Sequence, residues 1–333
     1  MKGIKLPQDA SRRLPFYLAL EEWVAGHLPD GDYFFAWQVR PSVICGRHQI
    51  MSAEINLDFC REAGIDVWRR KSGGGSVYSD CNNVMFSYVT RRDGVQTSFD
   101  RYTRNVIKML GSLGIVAEKS GRNDIEIDGS KVAGNAFYAL PGHSIVHGTM
   151  LYDADPATMA KVLTPSRAKL MGKGVRSVPA RICTLKSKGL HISCREFIDH
   201  AVAYLCSDGF YTMTEKDISE VREIELTYLR PEFYNDRVPH THEGMRIEGV
   251  GEFYCVAYLN DWNEIQSLEL KGDFFAAGDL NTDLCARLIG TKADRTSLEA
   301  VLKNIDTTSV IDGLTTEQLI DLILHNHENY LPI

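Results

Sequence analysis

Apolar residues recur at helical spacing over 14–28, LPFYLALEEWVAGHL, where Phe16, Leu20, Trp23, Val24 and Leu28 are interleaved with Glu21 and Glu22. The spacing predicts an amphipathic helix laid on a sheet. Two short β-rich runs, 33–40 and 42–47, follow on either side of Pro41, which supplies a turn and no ladder donor. A helix is expected near 56–63, then a strand at 65–68 and another at 84–89, with a glycine-rich stretch between them. The run 99–113 reads as a helix stopped at Gly114. Residues 124–127 and 131–140 flank Asp128-Gly129, a two-residue hairpin signal. A strand at 144–152 and a helix at 156–163 complete a segment in which strands dominate without βαβ alternation. That pattern predicts an α+β domain with a largely antiparallel or mixed sheet and helices against it.

From 164 to 188 the periodicity dissolves into a stretch dense in Lys and Arg, the signature of a functional lid or of disorder. Helices resume near 194–205 and 217–228. Residues 230–243 are rich in breakers and read as a linker, and His240 and His242 offer a metal pair with no third ligand in view. Beyond it, 246–275 holds two strands and 299–303 and 315–326 read as helices, the last opened by a Thr315/Gln318 capping box. The expected division is a catalytic domain at 1–240 and a small α+β domain at 245–333.

Composition narrows the function classes. The chain has 333 residues, 44% hydrophobic and 24% charged, ordinary values for a globular protein. A net charge of −7 argues against wholesale nucleic-acid binding. No apolar run is long enough to span a membrane and no secretory signal opens the chain, so a cytoplasmic protein with no membrane partner is expected. Eight scattered cysteines with no CxxC pair read as reduced thiols, and only Cys81 and Cys183 sit in polar surroundings that invite chemistry.

Four segments carry candidate chemistry. Arg69-Arg70-Lys71-Ser72-Gly73-Gly74-Gly75 is neither a Walker loop nor a dinucleotide fingerprint, yet successive glycines form an anion-binding concavity as readily as a solvated turn. Asn123-Asp124 offers oxygens to magnesium, or simply starts a turn. Lys131 lies on a strand followed by small residues, either poised to stabilise charge on a phosphate or acyl oxygen or merely at the surface. His147-Gly148 sits in an apolar strand, where a satisfied core histidine competes with a functional one.

Taken in order, RRKSGGGSVYSDCNN, NDIEIDGSKVAGNAFY, HGTMLYD and KGVRSVPARICTL resemble the lipoate–protein ligase family, and GVGEFYCVAYLNDWNEIQSLELKGDFF resembles its accessory domain. The resemblance implies the biotin/lipoate ligase fold, a mixed antiparallel sheet with flanking helices, plus a small C-terminal α+β domain. It implies activation of lipoate with ATP and Mg2+ to lipoyl-AMP, then transfer to a lysine of a lipoyl-domain protein, a 2-oxoacid dehydrogenase subunit or the glycine cleavage H protein. Lys131 takes the catalytic role on this reading. Arg70, Ser72, Gly73, Gly74, Gly75, Val77, Tyr78, Gly134, Ala136, His147 and Gly148 fall on the lipoate or lipoyl-AMP side. Asn83, Asp124, Lys131, Arg176, Ser177 and Val178 fall on the ATP side, with Asp124 holding Mg2+, and 174–182 is a lid loop over the adenylate. The chain departs from the family pattern at Cys81-Asn82 and at Pro179 and Cys183. The alternative is an ATP-independent octanoyl or lipoyl acyltransferase of the same fold, with Cys183 as its nucleophile; a binding-only protein is a third class.

Overall fold

The computed structural model describes residues 1–7, 12–164, 181–234, 244–325 and 327–329. It divides into two compact units. The first holds Met1–Cys45, Met51–Lys71 and the described residues from Ser76 to 234; the second holds Gly46–Ile50, Ser72–Gly75 and the described residues from 244. Two short segments that lie well inside 1–240 therefore cluster with the C-terminal unit.

In chain order the first unit runs β1 (Lys2–Lys5), α1 (Leu14–His27), β2 (Tyr33–Trp37), β3 (Ser42–Cys45), α2 (Met51–Glu54), α3 (Leu57–Glu62), β4 (Asp66–Arg69), β5 (Val77–Ser79), β6 (Asn83–Arg91), α4 (Val95–Ser112), β7 (Glu118–Ser120), β8 (Asp124–Ile127), β9 (Ser130–Leu140), β10 (His143–Leu151), α5 (Pro156–Val162), α6 (Cys194–Leu205), β11 (Phe210–Thr212) and α7 (Glu215–Glu225). Eight strands form one mixed sheet in the order β11-β1-β2-β6-β10-β9-β8-β7. It is parallel at β11-β1-β2 and antiparallel elsewhere. The two β-rich runs around Pro41 part company: β2 joins this sheet, and β3 forms a separate three-stranded sheet with β4 and β5.

Helices cover both faces of the large sheet, which explains why β6 is buried along its whole length except at Arg91. On one face α1 and α7 pack on Tyr33, Phe35, Trp37, Met85, Val89 and Ile145. On the other, Phe99 of α4 meets Phe137 edge-on at 6.2 Å and Phe197 of α6 meets Phe86 at 6.1 Å. The expected amphipathic character of α1 is corrected: only Glu22, Gly26 and His27 escape full burial. A helix pressed between a sheet and a second helix has no solvated face, so Glu21 is buried with it at 1% exposure.

The second unit carries β12 (Met245–Ile247), β13 (Gly251–Leu259), β14 (Ile265–Gly272), α8 (Leu280–Asp283), α9 (Arg295–Leu302), α10 (Thr307–Val310), α11 (Thr316–His325) and β15 (His327–Asn329). Three antiparallel strands stand where two were expected, and β15 adds parallel to β13. Phe253, Cys255, Ala257, Leu268 and Leu270 bury against Leu298, Leu302, Leu319 and Ile323 in its core. The capping box of α11 is reciprocal: Gln318 N donates to Thr315 Oγ1 at 3.2 Å and Thr315 N to Gln318 Oε1 at 3.0 Å.

Candidate active site

The β8–β9 hairpin turns at Asp128 and Gly129, both with positive φ (49° and 71°), the backbone that Asp-Gly favours in a two-residue turn. From the turn, Ile127 pairs with Ser130 and Glu126 with Lys131, and then the ladder slips so that Ile125 pairs with Ala133 and Asp124 with Gly134. The slip decides where the lysine points. In a regular strand Lys131 and Gly134 would project to opposite faces; the extra residue re-aims Lys131 back over Gly134. Its Nζ lies 2.7 Å from Asp124 Oδ1. A Cβ on Gly134 would sit 2.4 Å from that nitrogen, so this glycine makes room for the lysine's own ammonium.

Arg181, which sequence reasoning did not single out, pairs with the other Asp124 oxygen. It arrives on a segment that pairs with β9: Ile182 bridges Lys131, and Cys183 N donates to Lys131 O at 2.8 Å. Upstream, Leu163 bridges Ile55 and Thr164 N donates to Glu54 O at 3.0 Å. The chain on either side of 165–180 is thus pinned within the first unit. Arg176, Ser177 and Val178, and also His240 and His242, lie outside the described residues.

A second constellation crosses the middle of the sheet. Phe35, Ser87, His147 and Ala136 share one row of paired positions, and Glu21 reaches this row from α1. The Glu21 carboxylate accepts from Ser87 Oγ at 2.5 Å and from His147 Nδ1 at 2.8 Å, and Ser87 Oγ accepts from Trp37 Nε1 at 2.8 Å. Because an ionised carboxylate only accepts, Nδ1 of His147 carries the proton. His147 is thus buried with an acid on its Nδ1.

Arg70 follows β4, with its backbone N donating to Cys45 O at 3.0 Å and Nη1 to Ile44 O at 3.0 Å. Burial draws its pKa down to about 10, with the Cys45 thiol and the Glu21 carboxylate working the other way. It stays a cation at neutral pH, and a buried one.

Gly148 faces away from His147, as strand alternation requires. A Cβ there would be 2.0 Å from Asn135 Oδ1. The two positions therefore project to opposite faces of the sheet. Asn123 and Asn135 exchange amide-to-carbonyl bonds at 2.5 and 2.7 Å, so Asn123 serves the end of the hairpin while Asp124 meets the two cations. Asn83 opens β6 fully buried, and neither polar atom of its side chain has a partner among the described residues. Tyr78 on β5 donates to Asp80 Oδ2 at 3.1 Å, and burial, then Asp80, push its phenol well up. Val77, like Trp68, is half-buried against the core that contains Trp23 and Trp37.

Ser72, Gly73, Gly74 and Gly75 are grouped with the second unit. Arg47 N donates to Ser72 O at 2.8 Å and Gly74 N to Phe274 O at 3.1 Å. A Cβ on Gly73 would lie 2.1 Å from Phe274 O, and one on Gly46 2.0 Å from Gly74 O. At Gly73 and Gly74 the close approach that three glycines announce is made by the chain's own backbone.

Cys183 is buried, donates to Ser130 O at 3.3 Å, and has its thiol pushed up chiefly by burial. That environment suits a structural thiol rather than a nucleophile. Among the described residues no group of three or more His, Cys, Asp or Glu is placed to hold a metal, and no helix is long and apolar enough to cross a membrane.

Comparison with known proteins places this arrangement. The model of the lipoyl protein ligase A/B catalytic domain matches residues 14–206, and that of the bacterial lipoate protein ligase C-terminus matches 258–323. Lipoate-protein ligase LplJ of Bacillus subtilis is 32% identical over 320 residues, covering 92% of this chain and 95% of the relative. The fold is shared with P. falciparum LipL1, solved in complex with lipoate, at a TM-score of 0.77 and 18% identity over 98% of this chain and 99% of that one. It is shared also with a lipoate-protein ligase A bound with ATP, at 0.60 and 24% over 70% and 98%. Matched by both family models and by a relative along nearly its whole length, the chain belongs to the lipoate–protein ligase family and is an enzyme of that kind.

Proposed function

We propose that this ligase activates lipoate with ATP and then transfers the lipoyl group to a lysine of a lipoyl-domain protein, a 2-oxoacid dehydrogenase subunit or the glycine cleavage H protein. In the first step a lipoate carboxylate oxygen attacks the α-phosphorus and pyrophosphate leaves; in the second the acceptor amine attacks the acyl carbonyl, AMP leaves and an amide forms. Both steps need anions drawn together and developing negative charge offset, which is work for fixed cations rather than for a nucleophile.

The observation that carries the reading is Lys131, held over Gly134 by the bulge of β9 with its ammonium on Asp124. Lys131 and Arg181 would face the phosphate oxygens and Arg70 the carboxyl end of lipoate. Asn83, whose two side-chain polar atoms have no partner among the described residues, would gain partners from the nucleotide. A single buried carboxylate fits Mg2+ when substrate phosphates supply the remaining oxygens. Lys131 and Arg181 occupy both Asp124 oxygens, so Asp124 would hold the ion once those cations turn to the phosphates, and the ion would supply charge neutralisation there.

The cysteine-dependent acyltransferase is disfavoured by the burial of Cys183 and its raised thiol pKa. One assay separates the readings: lipoate-dependent exchange of pyrophosphate into ATP, with and without a lipoyl-domain acceptor. The ligase reading expects exchange without acceptor and full exchange in Cys183→Ala. Absence of exchange, together with ATP-independent acyl transfer lost in Cys183→Ala, would sink it.

A further inference from the structure

Of the eight cysteines, six are buried; Cys81 is exposed and Cys194 half-buried. These two least buried cysteines, separated by more than a hundred residues of chain, meet at one side chain in the first unit. The link is Gln38, just beyond β2. Its Nε2 donates to the Cys81 carbonyl at 2.6 Å, to the Asn83 carbonyl at 3.2 Å and to Cys194 Sγ at 3.3 Å. One nitrogen within bonding reach of both residues confines them to a common neighbourhood, and the Cys81 thiol is itself among the groups that raise the pKa of Cys194.

The backbone on both sides is held. Asn82 N donates to Asp80 Oδ1 at 2.9 Å, Asn83 N to Asp80 O at 3.1 Å, and Asp153 N to Asn82 O at 2.9 Å, which fixes the turn bearing Cys81. Cys194 is the first residue of α6, behind a reciprocal capping box between Ser193 and Glu196. An exposed thiol with a second cysteine in its neighbourhood is the arrangement in which a sulfenic acid can condense to a disulfide.

We propose that Cys81 and Cys194 form a reversible peroxide-sensitive pair. The Cys81 sulfur attacks one oxygen of hydrogen peroxide, the O–O bond breaks, and a sulfenic acid and water result. The Cys194 sulfur then attacks that sulfenic sulfur, its proton leaves with the hydroxyl as a second water, and an S–S bond forms. Two thiols and one peroxide become one disulfide and two waters. Gln38 loses its sulfur acceptor in the product and keeps two carbonyls, so little hydrogen bonding opposes closure. The link would staple the turn leading into the central strand to the start of α6.

The test uses the full-length reduced protein and one equivalent of hydrogen peroxide, with thiol titration and peptide mapping under non-reducing conditions. Two of the eight thiols should disappear, the linked peptides should contain Cys81 and Cys194, and dithiothreitol should restore all eight. Cys194→Ser should instead leave a Cys81 sulfenic acid that dimedone traps, and Cys81→Ser should lose no thiol at this dose. A disulfide between any other pair, or unchanged thiol loss in Cys81→Ser, overturns the proposal. Oxidation of Cys81 in the wild type past the sulfenic stage without cross-linking also overturns it, because Cys194 would then not be in reach.

Discussion

Lys131 and Gly134 occupy the same space in turn: the lysine's Nζ sits where a Cβ on residue 134 would be, 2.4 Å away. Gly134→Ala should therefore act as a substitution of Lys131, pushing the ammonium off Asp124. Lys131→Ala is expected to lower lipoate-dependent pyrophosphate exchange at least about tenfold, roughly 1.4 kcal/mol of transition-state stabilisation, and Gly134→Ala to approach that loss with its circular dichroism unchanged. Wild-type exchange in both variants would remove Lys131 from the site.

Glu21 joins His147 and Ser87 where water does not reach. Glu21→Gln keeps the volume but sets an amide donor against groups that already donate, and removes the negative charge near Arg70. A loss of about 1–3 kcal/mol is expected for a buried group left badly partnered, read as a lower urea midpoint at unchanged m-value. A variant as stable as wild type would show that the row is not a stabilising network.

The glycines divide into those that touch backbone and those that do not. Gly73→Ala should lower Tm, because its Cβ meets Phe274 O at 2.1 Å and a carbonyl cannot step aside as a flexible side chain does. Gly111→Ala, inside α4 with nothing within 4 Å, should raise stability by up to about 1 kcal/mol through helix propensity. Equal effects of the two in parallel melts would refute the distinction.

Asp155, Asp279, Asp294 and Asp306 cap α5, α8, α9 and α10, and the hydrogen bonds that they accept hold all four below the usual carboxylate range. The unfolded chain binds protons at these positions first, near pH 4, so their contribution is present above that pH and fades as pH falls through the folded values. Replacing all four by Asn, which still caps, should flatten the fall in Tm between about pH 5 and 2. An unchanged slope would assign acid sensitivity elsewhere.

Local signals were legible where chemistry is local. The Asp128-Gly129 turn, the strands on either side of it and the Thr315 box could all be read from neighbouring residues. The bulge that turns Lys131 onto Asp124 leaves no mark in the sequence pattern, although the residues that it joins were identified. Glu21 lies between helical apolars in a pattern that predicts an amphipathic helix, and only the packing of α7 and the sheet around α1 buries it. The partner of Gly73 is Phe274, two hundred residues away, a separation over which spacing says nothing. The pairing of β1 with β2 and β11 was equally hidden, because KGIK alternates without a strong apolar run.

Arg181 and Lys131 reach Asp124 from paired backbone, since Ile182 bridges Lys131 and Cys183 N donates to Lys131 O. A shift of β9 at its bulge would therefore carry both cations together. Asp124, on β8, is thus a gauge of the hairpin's register, because one slipped residue would part it from both charges at once.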